Sequence, residues 1–258
     1  MCTLLVAVDL WEGHPLVVAA NRDERLDRAS GPPRAGHAGP RKTFSPVDLE
    51  AGGTWWGVND SGLLAAITNR FVPGPHPGGI DSERRSRGLL VEDALSHRSA
   101  EGAVEFIANQ PGDRHNPFHL VIADARDAWL VWSDGRELTR RRLERGWHVL
   151  TERSLGAAPS GREDALADLR DTITRSTTPP LDLLESELKR HADFGFDSTC
   201  VHVEANNYGT RSSLVLRYDG EQPTLMRYAN GPPCQTDFVD LSLEMTQSLR
   251  WGDQSVAK

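Results

Sequence analysis

The sequence predicts a layered α+β fold, and a four-layer αββα sandwich of two antiparallel sheets fits the order of its elements. Strand-like and helix-like patterns come in blocks, in the order strands, helices, strands, helices, strands. A long alternation of single strands and helices is missing, and so is the glycine fingerprint of dinucleotide-binding units. Antiparallel strands with helices gathered in pairs favour a layered α+β arrangement. We expect residues 1–258 to form a single domain.

The first block predicts a β-hairpin at the start of the chain. Residues 3–10 and 15–21 are both β-like, and Glu12-Gly13 between them is typical of a turn. If the two strands pair symmetrically about this turn, Cys2 lies opposite Asp23, with a tolerance of two residues in the register. The polar segment 21–24 is therefore expected beside the chain terminus.

The remaining elements follow from periodicity and turn residues. Alternating or apolar runs predict strands at 54–59, 63–69, 118–124, 127–133, 147–151, 200–205, 211–218 and 222–229. Helical spacing of apolar residues predicts helices at 82–97, 100–110, 161–175 and 180–192. Ser160 and Glu163 form a capping box for the third of these helices. Proline and glycine predict loops at 29–46 and 72–80.

Composition excludes several classes of function. The net charge of -8 argues against a nucleic-acid or anionic-membrane partner, because both need a basic face. No run approaches the roughly 18 apolar residues of a membrane span. Three cysteines at wide spacing do not make a disulfide framework and suit a reducing compartment, so we expect a cytoplasmic protein. The oligomeric state stays open.

Cys2 is the candidate nucleophile. Removal of Met1 would leave a thiol and a free α-amine on one residue, with ordinary pKa values of about 8.5 and 7.7–8.0. A nucleophile with a base in reach is the minimal equipment for acyl transfer. The alternative is structural, because a small residue often follows the initiator and a buried cysteine is usually a packing residue.

Other polar and aromatic residues carry two interpretations each. Trp55 and Trp56 either place one ring in the core and one at the surface or line an apolar substrate pocket. Asn69, at a strand end, either caps a turn or donates to an oxyanion, a contact worth roughly 3–4 kcal/mol. Arg22 and Asp23 point to opposite faces of their strand, so one of them can face Cys2. An arginine and an aspartate on the solvent-exposed surface of a strand would give the same sequence pattern.

Metal and cofactor chemistry find little support. The nine histidines are scattered, and Pro117 separates His115 from His119. His202 and Glu204 share one strand face, but two ligands do not make a site. A serine-nucleophile elbow and a phosphate-binding glycine loop are both missing from the sequence. We therefore expect neither a metal site nor a cofactor.

An ordered set of short motifs resembles the NRDE-motif family, also called the transport and Golgi organisation 2 family. The matching segments are Met1-Cys2-Thr3, Asn21-Arg22-Asp23-Glu24, Gly53-Thr54-Trp55-Trp56-Gly57, Asn59 with Gly62, Thr68-Asn69-Arg70, Ser86-Arg87-Gly88, Asn116-Pro117-Phe118 and Tyr208-Gly209-Thr210-Arg211-Ser212. Each motif is weak alone, but their order across about 210 residues is specific.

The resemblance implies an N-terminal-nucleophile hydrolase fold and kinship with the penicillin and bile-salt amidases. It implies that Arg22 and Asp23 support Cys2 and that Asn69 donates to the oxyanion. It also implies that Arg211, late in the chain, is a further catalytic arginine. We expect Asn21, Trp55, Trp56 and Arg70 to bind substrate. The expected activity is hydrolysis of a linear amide, and the alternative is a non-catalytic binding or trafficking protein for an apolar ligand such as haem or lipid.

The chain departs from the amidase pattern at two places. Arg22 and Asp23 are adjacent, whereas the amidases usually space them by two residues. Where the relatives carry a mid-chain asparagine, this chain has Glu152, in Leu150-Thr151-Glu152. A carboxyl group donates to an oxyanion only when it is protonated. Glu152 therefore either leaves that role to another group or impairs hydrolysis.

Overall fold

The computed structural model describes residues 2–72, 81–156, 161–191 and 195–250. The strands are β1 (Cys2–Trp11), β2 (His14–Arg25), β3 (Ser30–Ala38), β4 (Arg41–Asp48), β5 (Trp56–Asn59), β6 (Leu64–Asn69), β7 (Phe118–Ala123), β8 (Ala128–Ser133), β9 (Leu138–Arg142), β10 (Gly146–Leu150), β11 (His202–Val203), β12 (Tyr208–Asp219), β13 (Gln222–Ala229) and β14 (Val239–Asp240). The helices are α1 (Arg87–Leu95), α2 (Ala100–Ala108), α3 (Gly161–Arg175), α4 (Leu181–Leu188) and α5 (Ser242–Ser248).

Two antiparallel sheets of seven strands each form the centre of the fold. The first sheet runs β10-β1-β2-β12-β13-β14, and β11 pairs with β12. The second runs β3-β4-β5-β6-β7-β8-β9. The strand that carries Cys2 therefore has a neighbour on both sides.

Three hydrophobic clusters separate four layers. Between the sheets, Leu4, Val6 and Val18 pack with residues of the second sheet such as Leu64 and Val121. The outer face of the first sheet is covered by α3 and α4, and the outer face of the second by α1 and α2. The predicted αββα sandwich is confirmed.

The β1–β2 hairpin has the predicted turn at Glu12-Gly13, and its register places Cys2 opposite Arg22. This is one residue from the position that the turn arithmetic favoured. The pairing shifts between Val8 and Trp11, where Asp9 adopts a left-handed φ of 50°. Such an irregularity adds one residue to a strand and changes every pairing beyond it.

The predicted loop at 29–46 was wrong, because this segment forms the β3–β4 hairpin. Pro32 and Pro33 are accommodated since β3 lies at the edge of its sheet, where a missing backbone donor breaks no inner ladder. The pairing is interrupted between Gly31 and Arg34, around the two prolines.

Other differences concern element lengths. The predicted helix at 82–97 begins only at Arg87, and the predicted strand at 200–205 is reduced to His202–Val203. β9 was missed because four of its five residues are exposed and the apolar alternation is absent. Ser160 of the capping box and most of the predicted 72–80 loop lie outside the described residues. None of the helices in the described part of the chain has the length and apolarity to cross a bilayer.

Candidate active site

Cys2 and Arg22 face each other across the open end of the β1–β2 hairpin. Even-numbered residues of both strands point between the sheets, as Leu4 and Val18 show. At this end a cleft of about 450 Å³ opens, and both residues line it. The cleft lies between the hairpin end, the end of β6 and the segment before and at the start of α1.

The Cys2 thiol is protonated in this environment at neutral pH. Burial raises its pKa, the carboxylate of Asp23 adds to the rise, and Arg22 opposes it. The Sγ atom lies 3.9 Å from the carbonyl oxygen of Asp23. Because the thiolate is the nucleophilic form, reaction at Cys2 needs a base.

Arg22 is a buried cation with unused hydrogen-bonding capacity. Only 6% of it is exposed, and its guanidinium carbon lies 4.0 Å from the ring centroid of Trp55. The carboxylate of Glu24 is 3.8 Å away, and Nη1 has no hydrogen-bond partner within the described residues. Burial lowers the pKa of Arg22. An anionic or carbonyl oxygen in the cleft would satisfy Nη1.

The side chains of the two tryptophans point to opposite sides of the chain, as the alternation along a strand requires. Trp55 is half-buried and forms a wall of the cleft, whereas Trp56 is 3% exposed in the core between the sheets. The Trp56 ring lies 6.1 Å from the ring of Tyr228. Only Trp55 is therefore placed to contact a ligand in the large cleft, while Trp56 lines a small cavity of about 20 Å³, room for about one water.

Asn69 and Arg87 line the side of the cleft formed by the second sheet and α1. Arg87 donates to the carbonyl oxygen of Pro117 at 3.0 Å, and burial lowers its pKa. Arg87 belongs to one of the sequence motifs but had no predicted role. Its position puts a second cation beside Cys2.

A glycine contact fixes the position of Arg87. Gly53 has φ of 77°, and a Cβ there would lie 2.4 Å from the carbonyl carbon of Gly88. The backbone NH of Thr54 donates to the Gly88 carbonyl at 3.2 Å. Two of the sequence motifs therefore meet backbone to backbone, and glycine is needed where they cross.

Asp23 also lines the cleft, but its carboxylate is turned towards α3. Its carboxylate forms an ion pair of 3.2 Å with Arg162, and 0% and 1% of the two side chains are exposed. Thr210 donates to the other carboxylate oxygen at 2.6 Å, and Arg162 also donates to Thr3 at 3.0 Å. Burial raises the pKa of Asp23, and Arg162 opposes that rise. Nothing in the sequence around Arg162 distinguishes it from a solvated helix residue.

Besides Trp56, three further predicted site residues lie outside the cleft. The Asn21 amide faces α4 and donates to the carbonyls of Leu188 and Thr199, both at 2.8 Å, because odd residues of β2 face the helices. Arg70 donates to the carbonyl of Leu155 at 2.7 Å. Arg211 sits at a register shift in β12 and donates to the carbonyl of Leu26 at 2.6 Å.

Comparison with known proteins shows the family of this chain. The family model described as "Transport and Golgi organisation 2" matches residues 1–227. The chain belongs to the transport and Golgi organisation 2 family. A human homologue of transport and Golgi organization protein 2 is 34% identical over 237 residues, covering 80% of this chain and 83% of the homologue. A bovine homologue is 28% identical over 238 residues, covering 80% and 83%.

Solved structures of amidases share the fold of this family member. A variant of conjugated bile acid hydrolase from Clostridium perfringens superposes with a TM-score of 0.60 at 16% identity, covering 94% of this chain and 93% of that one. Penicillin V acylase from Agrobacterium tumefaciens gives 0.56 at 16%, covering 93% and 86%. An N-acylethanolamine-hydrolyzing acid amidase orthologue from Caenorhabditis elegans gives 0.55 at 12%, covering 95% and 96%. At these identities the likeness shows an N-terminal-nucleophile hydrolase fold.

Glu152, where the sequence departs from the amidase motif, lies towards the Cys2 end of the first sheet. Leu4 pairs with Leu150, so the chain beyond Leu150 runs towards the Cys2 end of the first sheet. Glu152 is 7% exposed, and its Oε2 has no hydrogen-bond partner within the described residues. Burial raises its pKa, with Arg162 opposing. A neutral carboxyl group carries the hydrogen-bond donor that a carboxylate lacks.

Proposed function

We propose that this protein hydrolyses a linear amide with Cys2 as nucleophile, after removal of Met1. The observation that carries the proposal is the pairing of Cys2 with Arg22 in the wall of a cleft that Arg87 also lines. Support comes from the names of the solved proteins that share the fold, which are an acylase, a bile acid hydrolase and an acid amidase. The free cysteines suit a reducing compartment, and we propose the cytoplasm as the site of the reaction.

The first half of the proposed reaction forms a thioester. The α-amine of Cys2 takes the thiol proton as the sulfur attacks the amide carbonyl. Asn69, with backbone NH groups, donates to the resulting oxyanion. The carbon–nitrogen bond breaks, and the protonated α-amine returns its proton to the leaving amine.

The second half releases the acid. The α-amine takes a proton from water, whose oxygen attacks the thioester carbonyl. The sulfur–carbon bond breaks and the thiol recovers its proton, so Cys2 ends as it began. Arg22 and Arg87 face the cleft as cations and favour a substrate that brings a carbonyl or anionic oxygen to them.

Mass spectrometry and labelling test the nucleophile. We expect the intact mass to lack Met1, and iodoacetamide at neutral pH to label Cys2 ahead of Cys200 and Cys234. Release of amine from a panel of acyl amides should vanish in Cys2→Ala. A protein that keeps one residue ahead of Cys2 is the matched control, because it retains the thiol but blocks the base. We expect it to lose roughly 10²–10⁴-fold in turnover. Unchanged turnover in Cys2→Ala would overturn the proposal.

A binding role without catalysis is the second candidate, and Glu152 favours it. If Glu152 ionises, a carboxylate stands where an oxyanion donor is needed, and attack by Cys2 is disfavoured. The ligand would then be an apolar molecule such as haem or lipid that stacks on Trp55. Retained Met1, an inert Cys2 and an apolar ligand that co-purifies with the protein would support this role over hydrolysis.

A further inference from the structure

Four metal-binding side chains from three segments of the chain meet at the end of the first sheet. His191 follows α4, Cys200 and His202 flank the start of β11, and Cys234 lies in the turn after β13. Each offers one ligand atom, and the four atoms all lie within 4.8 Å of one another. The sequence predicted no metal site, because these ligands come from separate segments and form no compact motif.

The distances approximate the edges of a coordination tetrahedron. The sulfurs of Cys200 and Cys234 are 3.6 Å apart, and Nε2 of His202 lies 3.4 and 3.2 Å from them. Zinc bonds of about 2.3 Å to sulfur and 2.1 Å to nitrogen give tetrahedral edges of about 3.8 and 3.6 Å. The His191 and His202 ring centroids are 5.0 Å apart. The three observed separations lie within a few tenths of an ångström of those edges.

The donor set also selects the metal. Two thiolates and two imidazoles form a closed Cys₂His₂ set, which is typical of structural zinc. Two thiolates balance the charge of one Zn²⁺, so the occupied site adds no net charge to a partly buried region. Cys200 is buried, Cys234 and His202 are half-buried and His191 is exposed, which leaves an entry path.

A mutually hydrogen-bonded cluster of thiols and imidazoles is the alternative explanation. A thiol is a weak donor, however, and such bonds give little reason to gather four ligands from three separate segments. A disulfide between Cys200 and Cys234 would leave both imidazoles without a role, and both cysteines are free in the structure.

We propose that His191, Cys200, His202 and Cys234 bind one zinc ion per chain as a structural site. Binding releases the two thiol protons and ties the end of α4 and the β11 segment to the turn after β13. Thr199, next to Cys200, accepts a hydrogen bond from Asn21 on β2. Val201, on the other side, donates to Thr210 at 2.8 Å, and Thr210 donates to Asp23. The zinc therefore holds the segment that supports β2 from the side opposite the cleft.

Metal analysis of the reduced, full-length protein, purified without a metal-affinity tag, tests this site. We expect about one zinc per chain, a fall in Tm when a strong chelator removes it, and recovery when zinc returns. Cobalt loaded in place of zinc should give the visible absorption of a tetrahedral thiolate site. Reduced protein that holds no zinc and takes up neither zinc nor cobalt would overturn the proposal.

Substitutions test whether the metal binds at these four residues. Cys200→Ser with Cys234→Ser should abolish zinc binding. His191→Ala removes the most exposed ligand and should weaken binding at least roughly tenfold while the chain still folds. His37→Ala, an exposed histidine in β3, is the matched control and should bind as the parent does. Cys2→Ser should keep its zinc whether or not the protein hydrolyses amides, so the two proposals fail separately. Equal zinc affinity in His191→Ala and the parent would contradict the four-ligand site.

Discussion

Arg162→Met tests whether a buried ion pair holds the strand that carries Arg22. Arg162 lies 3.2 Å from Asp23, with 1% and 0% of the side chains exposed. Removing one partner of such a pair typically costs about 3–5 kcal/mol of unfolding free energy, because the remaining charge stays buried. Methionine keeps much of the volume, so most of the loss should be electrostatic. Urea unfolding at pH 8 measures it.

The pH dependence separates charge from packing. Without Arg162, burial acts on Asp23 with less opposition, so its folded pKa rises further above the unfolded value near 3.9. A carboxyl whose pKa is raised in the folded state stabilises the fold fully below its unfolded pKa. That contribution is lost as pH rises through the folded pKa, and a tenfold difference in proton affinity between the two states corresponds to about 1.4 kcal/mol. Relative to the parent, Arg162→Met should therefore lose more unfolding free energy at pH 8 than at pH 5.

Two further variants complete the experiment. Arg170→Met changes an exposed arginine of the same helix and should alter the unfolding free energy by no more than about 0.5 kcal/mol. Adding Asp23→Asn to Arg162→Met removes the titrating group and should abolish the extra loss at pH 8. If Arg162→Met loses the same free energy at both pH values, the ion pair does not determine the stability of this layer.

Three further predictions concern buried contacts of the fold. Gly53→Ala should destabilise by more than about 2 kcal/mol, since its Cβ would strike Gly88, while Gly13→Ala, with φ of 79° and open space, should cost about 1 kcal/mol. The difference between the urea midpoints of the two variants measures the cost of the contact between the Gly53 Cβ and Gly88. Glu152→Gln should gain stability over the parent as pH rises from 5 to 8, because burial raises the pKa of Glu152 and the parent loses stability through that pKa. A flat difference would mean that Glu152 is ionised at no cost. Tyr218→Phe should cost about 1 kcal/mol in thermal unfolding, since the buried hydroxyl donates to a backbone carbonyl at 3.0 Å.

The parts of the site that sequence could predict are those that one turn determines. Cys2 and Arg22 belong to adjacent strands of a short hairpin, so turn position and strand period were enough to bring them together within one residue. The same period explains why Trp55 and Trp56 divide between cleft and core. The error of one residue came from Asp9, whose left-handed backbone has no signature in the apolar pattern.

The parts that sequence could not predict depend on contacts between distant segments. Arg162 meets Asp23 across 139 residues, and the proposed zinc ligands Cys200 and Cys234 are 34 residues apart. Local periodicity carries no information about which helix covers which strand. Composition also misled at 29–46, because the prolines and glycines of this segment are accommodated in a hairpin at a sheet edge that the sequence alone does not reveal.

One face of β2 carries the residue that lines the cleft, and the other face carries the residues that hold the strand in place. Arg22 faces the cleft, whereas Asn21 and Asp23 on either side of it are held by α3, α4 and the segment before β12. A change in the supporting layer therefore moves Arg22 without touching a ligand. If Cys2 and Arg22 act together on an amide, a substitution in this layer should displace Arg22 and so lower turnover. The intrinsic reactivity of the Cys2 thiol should stay the same. Comparing iodoacetamide labelling with turnover in Arg162→Met distinguishes this effect from direct loss of a catalytic group.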